Sequence, residues 1–327
     1  MVNWNEITQN GTQRSGTALA VLYWLAAKGS ALSFCEETLT AESARAIITS
    51  AYPEFRGARV ELLDEGWDFR IFEVDANWLF RFPKRETSVA KLNREHKLLS
   101  GLGEWVSLPV PDYEYFHESP ESSSRVFAGY RKMPGIPGDI SKMVDRQRVA
   151  RQLGVFLERL HTYPVDKARE AGVLEERDLL AHWRDKSREQ LRRLVDPTVN
   201  RDLLHRYLEN DAPSTFAGAP SLVHNDLWAG HILVDTRSGG VSGIIDWGDT
   251  IIGDPAIDFA CLYAWYGESW LEDVLMHYTI ELDAEVIPRS RYLGTCLAIH
   301  NITLGHALGR AQWVEVGYAA LQLVHAT

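Results

Sequence analysis

Residues 221–260, SLVHNDLWAGHILVDTRSGGVSGIIDWGDTIIGDPAIDFA, constrain this chain more than any other stretch of it. They carry six aspartates and two histidines between short apolar runs of β character. Acids set this densely in an apolar frame need an occupation as caps, ion-pair partners or ligands. Leu222 and Val223 lead into Asp226, and residues 232–234 restart a strand, so the loop between them displays Asp226 and His231, five residues apart. A second β run ends at Asp246, twenty residues after Asp226. A hairpin between Asp235 and Ser242 lays that run beside the first and turns Asp226, His231 and Asp246 toward one cavity. Carboxylates at strand ends with one further nitrogen or oxygen ligand suit Mg²⁺ bound jointly with phosphate oxygens. Phosphoryl transfer asks little more of this side: an aspartate for the hydroxyl proton and groups for the metal. Two other readings compete. Any single aspartate can be a loop cap, and His224, Asp226, His231 and Asp246 can form a metal-dependent phosphohydrolase, which leaves the N-terminal region without a role.

The whole chain bounds the partners. Its 327 residues suffice for one large domain or two lobes with their own cores. A formal net charge of −11 argues against nucleic acid or an anionic membrane as partner, because both need a basic face. Cys35, Cys261 and Cys296 have neither metal-ligand nor disulfide-framework spacing, which points to a reducing, cytoplasmic setting. The longest apolar run, ALAVLYWLAA (18–27), is shorter than the about 20 residues a bilayer needs. It is read as a packed helix or N-terminal extension rather than a signal-peptide core.

Taken in order, residues 1–39 form an accessory segment and 40–133 an N-terminal lobe. Thr40 caps a helix whose apolar face is Ala44, Ile47, Ile48 and Tyr52. Strands are expected at 58–63, 71–74 and 78–82, with Pro83 as a stop, then a helix over 86–102 bearing Val89, Leu92, Leu99 and Leu102. Strands return at 113–116 and 125–133, around a polar loop at 117–124. The break PGIPGD (134–139) opens a mainly helical lobe, 134–327, with a stripe of Val149, Leu153, Phe156, Leu157 and Leu160.

The motif His224-Asn225-Asp226, then His231, then Ile245-Asp246-Trp247-Gly248, resembles the core of the aminoglycoside and macrolide phosphotransferases, antibiotic kinases with a protein-kinase-like fold. The resemblance runs from about Thr40 to near the C-terminus. It implies a two-lobe α+β fold, an antiparallel N-lobe sheet and a helical C-lobe. It implies Asp226 as catalytic residue, His231 and Asp246 as Mg²⁺ ligands, and GTP or ATP as donor. Asp254 and Asp258 match a segment read as bracing the catalytic loop. FRFPK (80–84) and Glu95 resemble the strand cation and helix glutamate that hold the phosphates; Arg81 and Lys84 both stand as the cation. The turn at Gly66 sits where the nucleotide-covering loop belongs. FAGYRKMPG (127–135) resembles the hinge, with backbone near Arg131 and Met133 meeting the purine and Tyr130 gating it, a bulky gate that accompanies GTP use in relatives.

The resemblance implies a small-molecule acceptor bound by the helices after 165 and after 260. CLYAWYGESWLED (261–273) is aromatic before it is acidic, which suits a large, partly apolar acceptor, and HTYPVDKAREAG (161–172) and DPAIDFA resemble the macrolide branch. FAGYRKM, the asparagine of HND and GRAQWVEVGYAAL (309–321) resemble the aminoglycoside branch. The macrolide 2′-hydroxyl is placed ahead of the aminoglycoside 2″-hydroxyl, with Tyr266, Glu272, Trp313 and Glu315 as wall residues. The expected protein is a monomeric, cytoplasmic antibiotic kinase acting in resistance. A metabolic kinase for choline, a sugar or an amino alcohol, and an inactive nucleotide-binding protein, are the alternatives.

Overall fold

The computed structural model describes residues 39–118, 126–139, 143 and 145–325. The readings for 1–38, with Cys35, and for most of the 117–124 loop lie outside those residues. Thr40 opens α1 (Ala41–Ala51) with a reciprocal cap: its hydroxyl accepts from the Ser43 amide at 3.3 Å, and the Ser43 hydroxyl accepts from the Thr40 amide at 2.9 Å. Strands β1 (Val60–Glu65), β2 (Phe69–Val74) and β3 (Trp78–Pro83) form an antiparallel meander, followed by α2 (Glu86–Leu102). With β4 (Tyr115–His117) and β5 (Phe127–Arg131) they make a five-stranded antiparallel sheet of order β1-β2-β3-β5-β4.

Alternation along the strands divides this sheet between two cores. Phe72, Val74, Phe80, Phe82 and Phe127 pack with Ala44 and Ile48 of α1. Phe69, Ala128 and Tyr130 belong to the larger core that includes Leu92, Leu98 and Leu99 of α2. Arg81 shares the α2 face, opposite Phe80 and Phe82, as strand alternation requires. The first strand begins two residues later than the sequence suggests. It is an edge strand exposed along nearly its whole length, so its limits follow pairing with β2, interrupted by a register shift between Leu62 and Asp64, and not apolar periodicity.

The chain then becomes helical around small sheets. The elements are β6 (Ile136–Pro137), α3 (Arg146–His161), α4 (Val165–Glu170), β7 (Leu174–Glu175), α5 (Leu179–Arg193) and α6 (Arg201–Asn210). There follow β8 (Ser221–Val223), β9 (Ile232–Asp235), β10 (Gly240–Ile244) and β11 (Ile251–Gly253). The last helices are α7 (Ala256–Tyr266), α8 (Glu268–Leu275), α9 (Val286–Leu308) and α10 (Ala311–His325). All five stripe residues of α3 are fully buried. The expected hairpin is β9 against β10, with Asp235 opposite Gly240 and its carboxylate accepting the Arg237 amide at 2.9 Å. The pair β8–β11 lies antiparallel, with β7 parallel to β11. The whole is an α+β chain with an antiparallel N-terminal sheet and a helical C-terminal lobe. No described helix is long and apolar enough to cross a membrane.

Candidate active site

Two loops carry the acids: 224–231, between β8 and β9, and 245–250, between β10 and β11. Asp258, fully buried in the first turn of α7, holds the first loop from behind. Its carboxylate accepts the backbone amides of His224 (2.9 Å) and Asn225 (2.8 Å) and lies 3.2 Å from the His161 ring. Three polar partners make burial of this carboxylate tolerable. Asp254 behaves differently from the expected brace. It takes Arg289 of α9 (2.6 Å) and the Ala256 amide (3.0 Å), so it fixes α9 to the start of α7 and not the 224–231 loop.

His224 joins the two loops. Its Nε2 lies 3.1 Å from the Ile245 carbonyl, which can only accept, so the ring proton is on Nε2; Nδ1 then accepts the Asp226 amide at 3.3 Å. Burial drives its pKa down to about 4, against the pull of Asp258. Neutral, buried and with both nitrogens engaged, His224 is no metal ligand, which removes a member of the phosphohydrolase set. Asn225 (φ 66°) and Asp246 (φ 63°) occupy the left-handed region, conformations that cost energy in non-glycine residues and gather at functional sites.

Asp226, His231 and Asp246 come together. His231 Nδ1 lies 2.8 Å from the Asp226 backbone carbonyl and donates to it. Its Nε2 faces Asp246 Oδ2 at 3.4 Å. A ring nitrogen and a carboxylate oxygen turned toward each other are a donor pair that can take a cation. No group of three or more acid, His or Cys donors that could hold a metal occurs among the described residues. His231 and Asp246 are thus a partial donor set, and an ion such as Mg²⁺ held by them would complete its shell with water and phosphate oxygens.

Environment separates the two acids. Burial raises the Asp226 pKa to about 6; His231 opposes the rise, and Asp249 and Asp246 add to it. Burial also works against charge on Asp246, but the Arg81 guanidinium leads the attractions that outweigh it and bring Asp246 down to about 2. A carboxylate of raised basicity thus stands beside one that stays ionised.

Arg81 and Lys84 turn to different partners. Arg81, only 3% exposed, donates Nη1 to Glu95 (2.6 Å) and to the Tyr113 hydroxyl (2.8 Å), and Nη2 to Asp246 (2.9 Å). Its guanidinium lies 4.2 Å from the centre of the Phe69 ring. Lys84 turns instead to Glu65 (2.9 Å) and the Gly66 carbonyl (3.1 Å), pinning the β1–β2 turn. Strand patterning marks Tyr113 only as part of a strand at 113–116; the strand begins instead at Tyr115, which frees Tyr113 to meet Arg81. Tyr130 is buried opposite Leu79, with its ring 5.5 Å from Tyr113, so it does stand beside the Arg81 cluster. The Arg131 side chain lies over Trp78 and pairs with Glu114, and Met133 packs against Gly243 of β10.

The wall residues fare unequally. Trp313 meets Trp228 edge to face at 6.1 Å; Trp228 stacks on Trp265 at 4.6 Å, and its ring centre is 4.9 Å from that of His231. Trp228, two residues after Asp226, was not singled out by sequence because a loop tryptophan carries no periodicity. Tyr266 is a correction: its hydroxyl donates to the Gly138 carbonyl (2.8 Å) and its ring stacks on Trp270, so it is buried structure and not wall. Glu272 is exposed on α8, which packs on α3 and α7, and Glu315 is exposed on α10. Neither contacts the acids among the described residues.

A five-stranded sheet over a helical lobe, with such a site between them, defines a kinase-like phosphotransferase. The chain belongs to the phosphotransferase enzyme family designated APH, whose pattern it matches over residues 59–290. The uncharacterized protein YcbJ of Bacillus subtilis is 25% identical over 236 residues, 67% of this chain and 74% of YcbJ. The viomycin phosphotransferase of Streptomyces vinaceus is 44% identical over 57 residues, 17% of this chain and 20% of that enzyme. Among solved structures, the GDP and kanamycin complex of APH(2″)-IIIa superposes with a TM-score of 0.72 at 28% identity, covering 86% of this chain and 98% of the other. The macrolide 2′-phosphotransferase MphH of Brachybacterium faecium shares the fold (TM-score 0.59, 22% identity, 86% and 97% covered).

Proposed function

We propose that this phosphotransferase moves the γ-phosphoryl group of GTP, or of ATP in its place, to a hydroxyl of a small-molecule antibiotic, with Mg²⁺ as cofactor, and so confers resistance inside the cell. The observation that carries the reading is the convergence of Asp226, His231, Asp246 and the Arg81–Glu95 pair. Asp226 accepts the acceptor hydroxyl's proton as that oxygen bonds to phosphorus and the nucleoside diphosphate leaves. A carboxylate with a pKa of about 6 is ionised at neutral pH yet basic enough for the task. His231 Nε2 and Asp246 hold the metal, while Arg81, steadied by Glu95 and Tyr113, holds the phosphates. When bound, Mg²⁺ supplies charge neutralisation at the β- and γ-phosphates. GTP as donor is supported by Tyr130 at the gate and by GDP in the similar solved enzyme.

The acceptor lies against Trp228, Trp265 and Trp313. Trp228 beside His231, with Trp265 and Trp313 against Trp228, favours a broad, partly apolar ligand, and the macrolide 2′-hydroxyl is the first reading. The aminoglycoside 2″-hydroxyl is the second, carried by the 28% identity to a kanamycin-bound enzyme. The test is purified protein with GTP or ATP and Mg²⁺ across macrolides, aminoglycosides and viomycin, scored by product mass. Phosphorylation of none of them, alongside turnover of a metabolic alcohol, overturns the antibiotic assignment.

A further inference from the structure

We propose that Lys91 is a positioning residue that couples the turn over the nucleotide to the loop bearing Asp246. The role rests on the reading that Asp246 serves a metal–nucleotide. Lys91 lies on α2 one helical turn before Glu95, on the same face. Its ammonium donates to Asp68 Oδ2 at 2.8 Å and to Asp249 Oδ1 at 2.5 Å. Asp68 sits in the β1–β2 turn, where it also takes Arg85 (2.6 Å) and Ser88 (2.8 Å). Asp249 closes the DWGD sequence, and its backbone carbonyl accepts the Asn225 side-chain amide at 3.0 Å.

The bonds make one line: the β1–β2 turn, Lys91, Asp249, Asn225 and then Asp226. Glu95 adds a parallel tie from the same helix, accepting the Trp247 amide at 3.3 Å. Both of Lys91's partners stand on loops outside α2, so its bonds order those loops rather than the helix. The Lys91 side chain is 24% exposed and that of Asp68 16%, so solvent screens this pair less than a surface ion pair. Asp249 would otherwise add an unmatched charge beside Asp226 and Asp246. A lysine has three donors on one rotating head, which suits two acids approaching from different loops.

The test compares the full-length wild type with Lys91→Met and Lys91→Arg, first by hydrogen exchange without nucleotide. Lys91→Met is expected to speed exchange in both 64–70 and 246–250 while leaving 146–161 unchanged, and Lys91→Arg to keep both protected. Faster exchange on one side only, or on neither, overturns the coupling. In nucleotide kinetics, Lys91→Met is expected to raise the nucleotide KM about tenfold with the acceptor KM unchanged, a size typical of coupled neighbours. Asp249→Asn is expected to do the same, and the double variant to add nothing further. Additive losses, or an equal shift in the acceptor KM, overturn it. A wild type that turns over no nucleotide defeats the phosphotransfer reading instead, and the exchange result still decides the coupling.

Discussion

Arg81, Glu95, Tyr113 and Asp246 are joined by hydrogen bonds of 2.6–2.9 Å, whereas Trp228, Trp265 and Trp313 meet only as rings, face to face at 4.6 Å and edge to face at 6.1 Å. The first group is the proposed phosphate end of the site and the second the proposed acceptor end. Charge-assisted bonds are directional, and loss of one partner strands the others. Stacked rings tolerate sliding and tilting at little cost. A rigid end for the part common to every turnover, and an adaptable end for the molecule that is modified, is the division of labour this contrast suggests.

Four measurements break or sharpen it. The largest effect belongs to the atom between the two ends: Asp226→Asn is expected to lower turnover by about 10²–10⁴-fold, the range of a lost general base, with Mg–GTP binding retained by calorimetry. Near-wild-type turnover would remove Asp226 from the chemistry. At the rigid end, Arg81→Met leaves Glu95 buried without its cation and is expected to cost about 3–5 kcal/mol in urea denaturation. Arg81→Lys is expected to recover only part of this, because one ammonium cannot address three partners spread around a guanidinium fork. At the adaptable end, Trp228→Ala is expected to raise the acceptor KM about tenfold, roughly the contribution of one stacked ring and its buried area, with the nucleotide KM unmoved. Movement of the nucleotide KM instead would show that the two ends are not separate.

The smallest effect is on stability against pH. The native state lifts Asp226 from a reference value of 3.8 to about 6, so the folded protein binds that proton more tightly than the unfolded chain. Stability contributed by this group is therefore present below pH 3.8 and is lost as pH rises to about 6. Asp226→Asn, measured in chelator, is expected to be more stable than wild type at pH 7 by about 1 kcal/mol, once the shift is discounted for a side chain 40% exposed. No gain is expected at pH 3.5. In wild-type kinetics the same group is expected to set an acid limb of kcat/KM near pH 6.

Sequence legibility follows the same contrast. The strand at 78–82, the helix at 86–102, the α3 stripe and the Asp235 hairpin were readable because periodicity or spacing encodes them. Asp226, His231 and Asp246 were readable because two loops at strand ends fix their separation. Arg81 and Lys84 stayed open because they are three residues apart beside a proline, and only pairing with β2 and β5 sets which one turns to α2. Tyr266 turns into the core, whereas Trp228 stands beside His231. An aromatic on a helix can face core or cleft with equal sequence cost, and a tryptophan in a loop offers no pattern at all. Lys91 and Asp249 were equally illegible as a pair, since 158 residues separate them.

Helix α7 carries Asp258 near its start and Trp265 near its end. Seven residues are almost two full turns, so the two side chains leave the helix on nearly the same side, about 10 Å apart along its axis. The helix acts as a gauge block. At one mark it sets the height of the loop that presents Asp226, and at the other, on the function proposed above, it sets the plate on which an acceptor's ring would rest. An acceptor whose hydroxyl lies at the wrong offset from its flat face is mismeasured by this rod, however well each end receives it. Exchanging Trp265 for another ring alters what is gripped while leaving the gauge length unchanged.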